Sequence, residues 1–226
     1  MAAPLQVITT DLCSRKKKEI IEMKLLQKTA VFLLVFVLLM AAGTVCAQNE
    51  TTSDILVIYF SRTREQYTVG VIDKGNTSIV ADMIADATGA DMFDVLPEED
   101  YYPYIYNALT DVALKEQREK ARPAYQKENL PDLTQYSTVF IGAPVWWGDW
   151  PMIMYTFFEN EDLSGKKLIP FATHEGSGLS GFDKKLASAV PGSDVLDGLA
   201  IRGNDCQNRR DNVRTAVNDW LSKLGY

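Results

Sequence analysis

Thr138-Val139-Phe140-Ile141-Gly142-Ala143, followed at once by Pro144-Val145-Trp146-Trp147-Gly148-Asp149-Trp150, is the stretch from which the fold can be read. A continuous apolar run without polar alternation marks a strand buried on both faces, as in parallel sheets covered by helices. Three of the chain's four tryptophans then fall within five residues. Aromatic clusters are ordinarily core. Flat rings and a glycine just past a parallel strand also suit a flat, π-rich ligand, because open α/β sheets bind ligands at the carboxyl ends of their strands. Taken alone the cluster reads as core, and the neighbouring loops must tip the balance.

The same alternation runs from Asp54 to the end of the chain. Ile55-Leu56-Val57-Ile58-Tyr59-Phe60 is another unbroken apolar run. Residues 77–88 follow, with Ile79, Val80, Met83, Ile84 and Ala87 on one helical stripe. A short strand is expected at 91–96, around Met92, Phe93 and Val95, and the tryptophan-bearing strand at 139–145. A helix follows at about 151–159, where Pro151 suits a first helical position. Residues 167–172 form the fourth strand, although Pro170 cannot donate to a ladder, and 194–201 the fifth. The last helix, about 207–224, carries Val213, Ala216, Val217, Trp220, Leu221 and Leu224 on one face.

Strands alternating with helices give right-handed βαβ units. The fold class is therefore α/β, a doubly wound five-stranded parallel sheet in the order 2-1-3-4-5. Between the second and third strands the chain is long, with a helix at 106–122 and then a Pro- and charge-rich segment, 122–133. That segment either borders the ligand edge or is a surface excursion.

The amino-terminal region reads as a leader. Residues 30–43 are mostly apolar, Lys24 and Lys28 precede them, and Val45-Cys46-Ala47 gives a small-residue cleavage pattern. A spanning helix wants about 20 apolar residues, so a secretory signal peptide over residues 1–47 is the better reading, cleaved between Ala47 and Gln48. Met23 opens such a leader by itself, and 1–22, with Arg15-Lys16-Lys17-Lys18, reads as a misassigned start or an extended n-region. Lipid attachment at Cys46 is the alternative, but Gly43 and Val45 stand where a lipobox favours an aliphatic and a small residue. Residues 48–53 are a short polar tether and 54–226 the domain. The expected location is outside the cytoplasm, in the periplasm.

After such cleavage Cys206 is the one remaining cysteine, so no intrachain disulfide supports the core. With the leader removed, 17 Lys and Arg face 27 Asp and Glu, a net charge of −10. That balance argues against nucleic acid or an anionic membrane as partner and fits docking on a basic surface.

Three loops sit at the carboxyl ends of the first, third and fourth strands and converge on one edge. The first runs Ser61-Arg62-Thr63 and ends in Gly75-Asn76-Thr77 as the helix begins. Hydroxyls, a glycine and free N–H groups at a helix start make a phosphate cradle. This first loop carries neither a Gly-Lys-Ser/Thr ending nor G-x-G-x-x-G, so it is neither a triphosphate loop nor a dinucleotide fingerprint.

These motifs together resemble the flavodoxin family. Tyr59-Phe60-Ser61-Arg62-Thr63 and Gly75-Asn76-Thr77 resemble its phosphate loop, Pro144-Val145-Trp146-Trp147-Gly148 its second flavin loop, and Thr173-His174-Glu175-Gly176-Ser177-Gly178 its third. The resemblance covers Ile55 to Tyr226 and implies one non-covalent FMN. It implies that Ser61, Arg62, Thr63, Gly75, Asn76 and Thr77 surround the phosphate, through hydroxyls and backbone N–H groups. Pro144, Val145, Trp146, Trp147 and Gly148 would wall the ring, with Trp146 or Trp147 stacking on it. Thr173, Gly176, Ser177 and Gly178 would approach its pyrimidine side. Shorter relatives have a compact phosphate loop, whereas residues 64–74 are inserted here; Arg62, Arg64 and Lys74 add bases that are solvated or touch the phosphate, and Tyr67 points over the ring or outward. His174, the single histidine, stands at the flavin edge, where imidazole titrates near neutrality and can give a proton to a bound quinone.

Three functions are compatible with these features. The first is an exported FMN protein that transfers electrons to a redox partner, with acidic charge opposing further negative charge on the flavin. The second is an NAD(P)H-dependent quinone- or azo-type reductase, whose small flat acceptor would sit near Trp150, Tyr101, Tyr102 and the inserted loop. The third is a non-catalytic binding module of the same fold.

Overall fold

The computed structural model describes Met23, residues 53–99 and residues 101–226. The expected leader (Met23 apart), its cleavage point, the Cys46 alternative and most of the 48–53 tether lie outside the described residues.

The sheet is built from β1 (Ile55–Tyr59), β4 (Asp91–Asp94), β5 (Thr138–Pro144), β6 (Lys167–His174) and two short strands, β7 (Asp194–Val195) and β8 (Leu199–Arg202). The spatial order is β4-β1-β5-β6, with β7 and β8 both pairing β6, and every pairing is parallel. With β7 and β8 sharing the fifth position, the order is 2-1-3-4-5.

The break in that fifth strand has a local cause. The register steps from Leu168↔Val195 to Phe171↔Leu199, so β7–β8 holds one more residue than β6 does. The carbonyl of Pro170 lies 2.7 Å from where a Cβ on Gly198 would stand, so Pro170's missing N–H falls on this same side. A parallel ladder cannot form there, and a bulge takes its place. Pro170 does not shorten β6 itself, which runs through to His174.

Alternate residues of the central strands feed two separate cores. Leu56, Ile58, Val139, Ile141 and Ala143 pack against α2 (Tyr106–Glu119), α3 (Met152–Asn160) and α4 (Phe182–Ala189), through Leu109, Ile153, Phe157, Phe182 and Leu186. Val57, Tyr59, Phe140, Ile169 and Phe171 pack against α1 (Asn76–Thr88) and α6 (Arg210–Leu224), through Ile79, Val80, Met83, Ile84, Val213, Val217 and Trp220. Each such side chain contributes about 1.5–3 kcal/mol by leaving water. This is the three-layer sandwich that unbroken apolar strands demand.

Several boundaries differ from the expectation. The last helix is two, α5 (Gly203–Asn208) and α6, parted at Arg209 with φ −142° and ψ 46°. The second strand stops at Asp94, and the helix expected at 106–122 ends at Glu119. The inserted segment holds a small antiparallel hairpin, β2 (Arg64–Gln66) and β3 (Gly70–Ile72). The 122–133 segment docks on α3 and on the stretch that follows β4. Tyr125 is buried against Phe157 at 5.3 Å, Arg122 pairs with Glu159 on α3 at 2.7 Å, and Gln126 N–H bonds back to Leu96 at 2.8 Å. Among the described residues no helix is long and apolar enough to cross a membrane, and Cys206 is a buried free thiol whose pKa burial pushes up to about 12.

Candidate functional site

The carboxyl ends of β1, β5, β6 and β8 share one edge, and the loops beyond them enclose a cleft of about 110 Å³. Its walls include Asn76 from the phosphate loop, Pro144, Val145 and Trp146 from the tryptophan loop, and Thr173, His174 and Glu175 after β6. Gln66, Tyr67, Tyr106 and Gly203 complete it.

The two halves of the phosphate loop meet despite the insertion. A Cβ on Gly75 would stand 2.2 Å from Ser61 Oγ and 2.6 Å from the Arg62 carbonyl oxygen, so only glycine lets the strands of this loop touch. Ser61 Oγ accepts the N–H of Ser78 at 3.0 Å and caps α1 from across the loop. The N–H groups of Asn76 and Thr77, nearest the cleft, precede any intrahelical acceptor, and the first turn carries no acidic side chain. Their positive dipole end therefore faces a polar hollow suited to an anion. Thr77 and Thr173, both buried, share a hydroxyl bond of 2.8 Å that ties α1 to the end of β6. Asn76 Oδ1 accepts from Gln207 at 2.7 Å, and that same amide holds the Lys74 carbonyl at 2.9 Å.

The loop's bases engage neighbouring groups of the protein. Arg62 donates to the Pro103 carbonyl, Arg64 lies over the Tyr104 ring at 5.7 Å, and Lys74 pairs with Asp82. Thr63 is exposed and does not line the cleft. The hairpin is held to α2 by two contacts. Glu65 accepts the first N–H of α2 at Tyr106 (2.7 Å), and Tyr67 stacks on Tyr106 (5.6 Å between centroids, 26°). Tyr67 thus lines the cleft as part of a roof.

The three tryptophans divide. Trp146 is half-buried, edge-on to Phe60 at 5.4 Å and to Tyr102 at 5.1 Å, and walls the cleft. Trp147 (φ 50°) and Gly148 (φ 72°) form the corners of a tight turn closed by reciprocal Trp146–Asp149 bonds of 2.9 and 3.0 Å. That geometry needs positive φ at both corners, natural for Gly148 and strained for a tryptophan by about 1–3 kcal/mol. The turn is clamped on both sides, by the Trp147 indole N–H on the Thr110 carbonyl (2.9 Å) and by Lys185 on the Gly148 carbonyl (2.5 Å). Trp150 is core: 1% exposed, stacked 3.7 Å from Phe182, and donating to the Phe182 carbonyl at 3.3 Å. Tyr102 is buried behind Trp146, and Tyr101 is exposed, so neither they nor Trp150 line the cleft as the reductase reading expected. An adjoining apolar pocket of about 270 Å³ is instead lined by Leu109, Thr110, Ala113 and Trp147, and shares Tyr106, Val145 and Trp146 with the cleft.

His174 Nδ1 accepts the Gly176 N–H at 2.9 Å, which leaves Nε2 as the protonated, donating nitrogen of a neutral ring. Burial first, and Arg202 second, hold its pKa below the ordinary value. Gly176 and Gly178 adopt positive φ with open space around them, and with Ser177 they lie outside the cleft's lining. Gln66, Tyr106 and Gly203 were not anticipated, and Glu175 was placed in the third loop without a role. Gly203 follows the carboxyl end of β8, the same rule that located the other loops, and a Cβ there would stand 2.3 Å from Asn76 Nδ2.

A flavodoxin family model matches residues 54–223. The chain belongs to the flavodoxin family. Among solved structures, a Bacteroides eggerthii protein assigned as a flavoprotein is 28% identical over 76% of this chain and 98% of its own, with a TM-score of 0.57. A counterpart from Bacteroides uniformis is 29% identical over 73% of this chain and 97% of its own, at 0.55. A flavoprotein from Lactobacillus acidophilus, solved in complex with FMN, shares the fold at 19% identity and 0.53, over 70% of this chain and 97% of its own. No protein of curated function matches the chain.

Proposed function

We propose that this flavodoxin-family protein is an exported FMN-binding electron carrier. The observation that carries the reading is the closed phosphate loop, with Gly75 packed on Ser61 beside a cleft walled by Trp146. The residues present fit that cofactor. Ser61, Asn76, Thr77 and the start of α1 supply neutral donors and a helix dipole for a phosphate, while Trp146, Pro144 and Val145 supply a flat apolar wall for the ring. FMN, when bound, supplies one- and two-electron redox chemistry. The chain's own part is to hold, orient and shield it. Tyr67 and Tyr106 roof the cleft against water, and His174 offers a hydrogen-bond donor at Nε2. The net charge of −10 beyond the leader favours a low potential and a basic redox partner, and the leader supports a periplasmic location.

The test is the visible spectrum of the purified protein. A yellow protein, or one that takes up added FMN in equilibrium dialysis, is expected, reduced by a partner reductase without steady NAD(P)H turnover. A colourless protein that leaves added FMN free overturns the reading and leaves a binding module. One observation favours a reductase: the 270 Å³ apolar pocket beside the cleft has room for a flat quinone or azo acceptor. Steady NAD(P)H oxidation dependent on such an acceptor would establish that alternative. Export, which removes the protein from cytoplasmic NAD(P)H, favours the carrier.

A further inference from the structure

Behind the cleft wall lies a line of aromatic rings. Trp146 meets Tyr102 edge-on at 5.1 Å and 80°, and Tyr102 meets Tyr101 at 5.1 Å and 76°. The line starts at the cleft, passes through Tyr102, 4% exposed, and ends at Tyr101, 51% exposed. Edge-on aromatic contacts are common in cores. A carboxyl group beside them is not. Glu116, on the inner face of α2 one turn beyond Ala113, is 3% exposed. Its Oε2 accepts the Tyr102 hydroxyl at 3.4 Å, and among the described residues its Oε1 has no hydrogen-bond partner. Burying such a group destabilises the fold unless it is fully paired, so its position here calls for a role.

We propose that Trp146, Tyr102 and Tyr101 form a one-electron relay from the cleft to the protein surface, with Glu116 as the proton acceptor for the middle tyrosine. The oxidant, a one-electron radical of the oxygen-derived class, takes one electron from the Trp146 indole, leaving an indole radical cation and the reduced anion of the oxidant. An electron passes from Tyr102 to the oxidised indole and restores it. The Tyr102 O–H bond breaks as its proton bonds to Glu116 Oε2, leaving a neutral tyrosyl radical. An electron from Tyr101 then refills Tyr102, the proton returns from Glu116 to the Tyr102 oxygen, and the proton of Tyr101 goes to water. The radical, now exposed, is quenched by a soluble thiol reductant that gives up one hydrogen atom. The relay would keep oxidising equivalents away from the cleft.

The charged and titratable groups around Glu116 set its working range. Tyr101 and Tyr102 face it from the loop before α2, Arg62 bears on Tyr102 from the phosphate loop, and Glu119 bears on Tyr101 from α2 itself. Burial pushes the Glu116 carboxyl up to about 7, so it accepts a proton above that pH and not below it.

The relay's purpose rests on the flavin reading, but its operation does not, and the purified full chain without added cofactor tests it. Azidyl radicals generated by pulse radiolysis oxidise tryptophan selectively. The indolyl absorption is expected to convert to tyrosyl absorption at a rate independent of protein concentration and faster above pH 7. Trp146→Phe and Tyr102→Phe should each slow the conversion by an order of magnitude, and Glu116→Gln should abolish its pH dependence. Should a buried variant not fold, the surface change Tyr101→Phe is expected to leave the radical on Tyr102, shown by a longer-lived signal that thiol no longer quenches. Absence of tyrosyl in the wild type, undiminished conversion without Trp146 or Tyr102, an unaltered pH profile in Glu116→Gln, or undiminished thiol quenching in Tyr101→Phe overturns the proposal. A failed flavin site shows separately, as a colourless protein in the dialysis experiment.

Discussion

Trp147 and Trp150 stand three residues apart and live in opposite surroundings. Trp147 is 53% exposed on a left-handed corner, whereas Trp150 is 1% exposed and stacked on Phe182. The difference lies in the backbone path just beyond each ring. Gly148 completes a tight turn that throws the Trp147 ring outward over α2, and the chain then dives back so that Trp150 enters the core just before α3. One run of identical residues thus serves as turn, wall and core, and its composition reveals none of this.

The sharpest attempt to break that contrast is Trp150→Ala, which removes a core ring and its bond to the Phe182 carbonyl. It should cost about 3–5 kcal/mol in urea unfolding; a loss under about 1 kcal/mol would mean that Trp150 is not the core member. Trp146→Ala should weaken FMN binding by about 1–3 kcal/mol in titration, with Trp147→Ala weakening it less. A larger effect at Trp147 would reverse the roles assigned to the two rings.

Glu116 sharpens the contrast from another side, since it is as buried as Trp150 but opposes folding when charged. Its folded pKa, about 7, lies above the ordinary 4.5. The native state therefore holds the extra proton between those values, and this group's contribution to stability falls as pH rises through that window and is level above it. Glu116→Gln should gain about 1–3 kcal/mol at pH 8 and little at pH 4, measured by denaturation midpoints at both pH values. The smallest effect is expected from Trp147→Asn. Asparagine tolerates positive φ, so relief of strain should offset the lost indole bond, leaving stability within about 1 kcal/mol of wild type.

The sheet order was legible because strands buried on both faces write themselves as unbroken apolar runs, as at Ile55–Tyr59 and Thr138–Pro144. The inserted hairpin was not. Arg64–Gln66 and Gly70–Ile72 are three residues each, and five of the six residues keep solvent contact, so no apolar alternation announces them. Helix Phe182–Ala189 escaped notice for a related reason, since only Phe182 and Leu186 are buried in it. Within the cleft, Asn76, Pro144, Val145, Trp146, Thr173 and His174 come together as their places after β1, β5 and β6 implied. Tyr67 and Tyr106 meet over the cleft only because the hairpin folds back, a tertiary outcome that no local pattern encodes. Glu116 did leave a trace: Leu109, Ala113 and Glu116 share one helical stripe, and a carboxylate in an apolar stripe signals a buried charge.

The contact between Gly75 and the Arg62 carbonyl makes the phosphate loop a doorway with a narrow sill. Chain leaves after Arg62 and comes back at Gly75 through nearly the same point in space, so whatever lies between is an annex rather than a structural member. Closing a longer or shorter loop across so small a gap changes the entropy of the unfolded chain only slowly with length. The annex can accordingly be trimmed, lengthened or exchanged while Ser61 still caps α1. The roof over the cleft, and with it the choice of what may approach, is open to alteration independently of the grip on the anion beneath.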